Sequence, residues 1–89
     1  MVSALIQIEP GFLAEVMEVN EEVAEAESPA DLSGISEANK TVLRSYVTKV
    51  SKAFREGRVR DAKVLVARMK YFSTIQDKIV EKETAYGVV

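Results

Sequence analysis

Glu18, Glu21 and Glu25 recur at spacings of three and four, so a helix would carry their carboxylates on one face. Grouped carboxylates can share protons for acid-base chemistry, hold a hard cation, or steer a basic partner. The first two uses need company that is missing. The chain has no histidine and no cysteine, which removes imidazole bases, thiolate nucleophiles, disulfides and the usual zinc, haem and iron-sulfur ligands. No pocket motif or second ligand cluster accompanies the three acids. The chain is therefore expected to be non-catalytic, without a metal site or cofactor, and the acids read as either a solvated face or a recognition rim.

The same segment carries more apolar surface than one packing seam requires. Phe12, Val16, Val19, Val23 and Ala26 alternate at four and three, the seam of a helix buried against neighbours. Leu13 and Met17 lie roughly 100° and 140° from the centre of that seam, and Ala14, Glu18, Glu21 and Glu25 continue around the same side. Leu13 and Met17 either widen the buried stripe or form an apolar pair rimmed by carboxylates. Tyr71 is a third candidate. Counted from Met69, it falls roughly opposite the inner face of its helix, with Val64, Ala67 and Ile75 nearest on the outer side. An outward tyrosine with an apolar fringe suits a partner-binding anchor, although single exposed tyrosines are common.

Three helices must position these residues. Pro10-Gly11 interrupts earlier structure and opens a helix over about residues 10–27. Ser28-Pro29-Ala30-Asp31 supplies a serine cap, a first-turn proline and an acid three residues after the cap, starting a second helix over about 29–56. Gly34 weakens its first turns. Ile35, Val42, Leu43, Tyr46, Val47, Val50, Ala53 and Phe54 are expected to form its buried stripe. Gly57 suits the left-handed closure of that helix, and a third runs over about 59–83, with Ala62, Leu65, Met69, Phe72 and Ile79 inward and Val66 and Val80 beside them. No strand pattern occurs. The fold expected is all-α, an antiparallel three-helix bundle over residues 10–84, preceded by a lead or severed linker at 1–9 and followed by a flexible tail at 85–89.

Eighty-nine residues make one domain, and 47% hydrophobic with 29% charged residues is a globular composition. No apolar run approaches the roughly 20 residues of a bilayer span, and the N-terminus lacks the pattern of a secretory signal, so the chain reads as soluble and intracellular with no membrane partner. The net charge of −2 conceals a segregation. Nine acids and no base precede Lys40, whereas twelve bases face five acids from there on, giving −9 and +7. Such a split implies attraction between the first helix and the rest, or steering of a charged partner. Neither a glycine-rich phosphate loop nor an aromatic stacking platform accompanies the bases, so nucleic acid is not an expected partner.

Two segments resemble a known family. Residues Ile8-Glu9-Pro10-Gly11-Phe12-Leu13-Ala14-Glu15-Val16-Met17-Glu18-Val19-Asn20-Glu21 are similar to the C-terminal domain of the HscB/Jac-type J-protein co-chaperones. So are Ala53-Phe54-Arg55-Glu56-Gly57, continuing through Asp61-Ala62-Lys63 to Ala67-Arg68-Met69-Lys70-Tyr71-Phe72-Ser73-Thr74-Ile75. The likeness covers about Ile8 to Glu83 and is nearest to the eukaryotic, mitochondrial members. It implies a three-helix bundle that binds the iron-sulfur cluster scaffold protein, IscU or Isu, and delivers it to a specialised DnaK-like chaperone. It further implies apolar contacts from Leu13, Ala14 and Met17, acidic contacts from Glu18, Glu21 and Glu25, and an aromatic contact from Tyr71. The location implied is the mitochondrial matrix in a eukaryote, the cytoplasm in a bacterium.

Three departures qualify the likeness. Ala14 is smaller than the bulky residue of some members, Arg58 replaces an often acidic position, and no J domain or His-Pro-Asp tripeptide occurs within these residues. The chain by itself is expected to hold the scaffold without triggering the chaperone's ATPase, as an excised domain or as a truncated form that competes. The alternative is a structural bundle whose spare apolar strip makes a weak homodimer or another helix-helix contact.

Overall fold

The computed structural model describes residues 10–87. The expected lead over 1–9, and residues 88 and 89, lie outside the described residues. Helix α1 spans Pro10–Glu25, α2 Pro29–Arg55 and α3 Val59–Ala85, and the described residues form an all-α three-helix bundle without a strand. α1 ends two residues earlier than expected and α3 two later.

The punctuation follows from the residues that supply it. Ser28 has extended backbone angles and its Oγ accepts from the Asp31 N–H at 3.1 Å, while the Asp31 carboxylate accepts from the Glu27 N–H at 3.1 Å. One helix-start donor and the N–H of the residue before the cap are thereby satisfied, and α2 continues unbroken through Gly34. At the other end Gly57 takes φ 73°, and the Arg58 N–H reaches back to the Ala53 carbonyl at 2.8 Å. Both connections are short, so α2 runs antiparallel to α1 and α3, and α1 and α3 run parallel.

The four seam residues of α1 and Ala26, just past its end, enter the core. Val16, Val23 and Ala26 are buried, and Phe12 and Val19 pack against the cluster of Leu32, Phe72, Ile75 and Ile79. Phe72 is its centre, with Phe12 edge-on at 5.8 Å and Tyr46 stacked at 5.7 Å between ring centroids. Burial pushes the Tyr46 phenol above its ordinary value of 10.0, Arg68 opposing and Glu15 reinforcing. A raised folded value favours the protonated form, so this contribution is complete below pH 10 and is lost as pH rises above it.

Two parts of the expected stripes are not buried. Val47 and Phe54 of α2 are 55% and 57% exposed, and Val80 of α3 is exposed as well. With 16 residues against 27 in each of the others, α1 is about 16 Å too short to cover the far end of the α2–α3 hairpin, where Phe54 lies, whereas Val80 is near the end that α1 reaches and turns outward there. In their place α2 buries Leu32, Ser36 and Asn39. The Asn39 amide donates to the Phe72 carbonyl and to Gln76 Oε1, both at 3.0 Å, and Gln76 Nε2 donates to Ser36 Oγ at 3.0 Å. This polar set fixes the register of α2 on α3, because a one-turn slip would strand several buried polar groups.

The C-terminal end of α3 is tied down rather than loose. Ala85 belongs to the helix, Gly87 closes it at φ 78°, and the Tyr86 hydroxyl donates to the Ala26 carbonyl at 3.2 Å. The flexible tail expected from residue 85 therefore does not begin there. Lys82 Nζ donates to the carbonyls of Val23 at 2.7 Å and Ala24 at 2.9 Å, placing an ammonium at the negative end of α1. Lys82→Met keeps the stem and removes these bonds. It is expected to cost about 1–2 kcal/mol and to lower the melting temperature by about 5–10 °C, read by circular dichroism.

Candidate functional site

The burial of Phe12 and Val16 fixes the roll of α1 and thereby turns their sequence neighbours outward. Leu13 is 40% exposed and Met17 62% exposed, so neither widens the core. Helical geometry sets them on the flank of α1 nearer α3, about 100° round from Phe12 and Val16. Glu21 follows one turn after Met17. Ala14, Glu18 and Glu25 are exposed further round, on the side away from α3.

Tyr71 stands elsewhere than the count from Met69 suggests. Its ring is half-buried and meets Phe12 edge-on at 5.6 Å and 79°, and Ile75, expected on the outer side, is 1% exposed. The inner face of α3 centres on Phe72, Ile75 and Ile79, which leaves Tyr71 on the flank facing α1 rather than opposite the core. Tyr71, Val16 and Ile75 line a recess of about 300 Å³ between the two helices, with Asn20 of α1 and Lys70, Thr74 and Lys78 of α3 at its edges. By the helical count Leu13 and Met17 fall next to Val16 and Asn20 on α1, outside the residues that line the recess. That count sets the apolar pair and the tyrosine on the same side of the bundle.

Electrostatically that surface has two unlike edges. Glu18, Glu21 and Glu25 lie beyond the apolar pair, and Lys70 and Lys78 lie beyond the recess on α3. Among the described residues the ion pairs are Lys40–Glu37, Arg58–Glu56 and Arg58–Asp61, all outside this surface. The α1 acids therefore do not neutralise the bases of α2 and α3 by direct pairing. Lys78 makes only a 3.3 Å bond to Asn20 Oδ1. The lysine edge was missed from the sequence, although Lys70, Thr74 and Lys78 recur at four beside Tyr71. Among the described residues no group of three or more acids, histidines or cysteines could hold a metal ion. No described helix is long and apolar enough to cross a membrane.

Comparison with known proteins agrees in one direction. Residues 8–80 match the family model described as the HSCB C-terminal oligomerisation domain. The chain is 40% identical over 72 residues to the iron-sulfur cluster co-chaperone protein HscB of Homo sapiens, covering 81% of this chain and 31% of that protein. To the protein of the same name from Mus musculus it is 36% identical over 73 residues, covering 82% of this chain and 31% of that one. The chain thus spans about a third of the length of these curated relatives. No solved structure gives a significant match.

Proposed function

Because the chain belongs to the HscB C-terminal domain family, we propose that it is a non-catalytic co-chaperone module that docks the iron-sulfur cluster scaffold protein. The observation that carries this reading is the exposure of Leu13 and Met17 on the flank of α1 that helical geometry turns toward the recess lined by Tyr71. Leu13, Met17 and the Tyr71 ring form the apolar centre, where desolvation supplies most of the affinity. Ala14 adds a small contact at its margin. Glu18, Glu21 and Glu25 form a rim that steers and orients a basic patch on the scaffold. Delivery to a specialised DnaK-like chaperone would depend on a J domain, whose His-Pro-Asp tripeptide cannot occur in residues without histidine. Likeness to the human and mouse proteins supports work in the mitochondrial matrix.

Titrating the fluorescently labelled domain with purified, cluster-free scaffold tests the proposal. Saturable binding is expected, and raising salt from about 50 to 500 mM is expected to slow association about tenfold. Absence of binding at low salt would overturn the assignment. Self-association is the second reading, favoured by the family description and by exposed Val47, Phe54 and Val59 at the far end of the hairpin. Sedimentation at several concentrations separates the two, because a dimer forms without scaffold present.

A further inference from the structure

The docking face has a second charged edge that the acidic rim does not explain. Lys70, Thr74 and Lys78 repeat at four along the outer lip of the recess on α3, each about 6 Å from the next along the helix axis. Both lysines are exposed, and among the described residues no carboxylate lies within 4 Å of either. Their flexible stems can converge over Thr74, which lies between them along the helix. The recess below has an apolar floor of Val16, Tyr71 and Ile75, with the Asn20 amide and the Thr74 hydroxyl at its edge. An aliphatic side chain fits such a floor, and a carboxylate fits the lip.

Resting on the docking proposal above, we infer that the α1–α3 recess takes a scaffold segment that presents an apolar side chain next to an acidic one. The apolar side chain enters between Val16, Tyr71 and Ile75, and the acid pairs with Lys70 and Lys78. The scaffold surface is then bipolar, with bases facing Glu18, Glu21 and Glu25 and an acid facing the lysines. A reversed orientation would set like charges against each other at both edges, so the two edges fix which way round the scaffold docks.

The sign of a charge reversal tests this. If only the acidic rim acted, the double variant K70E/K78E would make the face more negative and bind a basic scaffold faster and more tightly. If an acid docks on the lysines, the same variant binds about tenfold more weakly at low salt, and K70Q/K78Q falls between it and the parent domain. Both lysines are exposed, so an unchanged helical spectrum and melting temperature establish that the variants are folded. A parent domain that fails to bind scaffold defeats the docking proposal itself. A parent that binds, with K70E/K78E equal or tighter, defeats the bipolar recess alone. Compensation by a lysine substituted for one scaffold acid would locate the pairing residue.

Discussion

Replacing Leu13 and Met17 together by serine is expected to weaken scaffold binding by about 30- to 150-fold, equivalent to about 2–3 kcal/mol. The two side chains are 40% and 62% exposed in the free domain, so removing them leaves no cavity. The double variant should therefore keep its helical content and melting temperature within a few degrees of the parent. The loss comes instead from apolar area that is covered only in the complex. Isothermal titration of the folded variant gives the affinity directly. Undiminished affinity would mean that the scaffold is held somewhere other than the flank of α1.

The largest stability effect is expected at Phe72. Its ring is fully buried between Phe12 and Tyr46, and its carbonyl accepts from Asn39. Phe72→Ala removes the contacts that join all three helices and is expected to cost about 3–5 kcal/mol. A domain of this size has only about 5–15 kcal/mol to lose, so the melting temperature should fall by about 15–30 °C. Scaffold binding should weaken in parallel at 37 °C and recover on cooling, because the defect is in folding. Guanidinium titration monitored by circular dichroism would measure it. A cost below about 1 kcal/mol would contradict the placement of Phe72 at the centre of the core.

The seam of α1 was legible because the helix meets the bundle on one side only. Phe12, Val16, Val19, Val23 and Ala26 define that side, and Leu13 and Met17 are turned out by subtraction. The caps were legible for a related reason. Ser28, Asp31 and Gly57 act within a few residues of themselves, where spacing is geometry.

The faces of α2 and α3 depend on partners distant in sequence, and there periodicity places Ile35, Val42, Leu43, Tyr46 and Ala53 inward as observed but does not settle their neighbours. Counting from Met69 puts Ala62, Phe72 and Ile79 inward, where they are buried, but sets Tyr71 and Ile75 outside, whereas Ile75 belongs to the same buried face and Tyr71 to its flank. On α2 the true seam passes through two polar residues, Ser36 and Asn39. Their burial depends on Gln76 and the Phe72 backbone arriving from the third helix. The apolar types of Val47 and Phe54 suggested a core position, but no spacing within α2 reveals that α1 stops short of them. The basic edge was hidden in the same way. Lys70 and Lys78 line the recess only because α1 lies alongside α3 and closes it with them.

A resonance-by-resonance map of the isotope-labelled domain on addition of scaffold tests the docking face most directly. The amides expected to shift or broaden are those of Leu13, Met17, Glu21, Lys70, Tyr71 and Thr74, with Val47, Phe54 and Val59 unmoved. Perturbations gathered instead on the hairpin end around Phe54, with Leu13, Met17 and Tyr71 silent, would contradict the account.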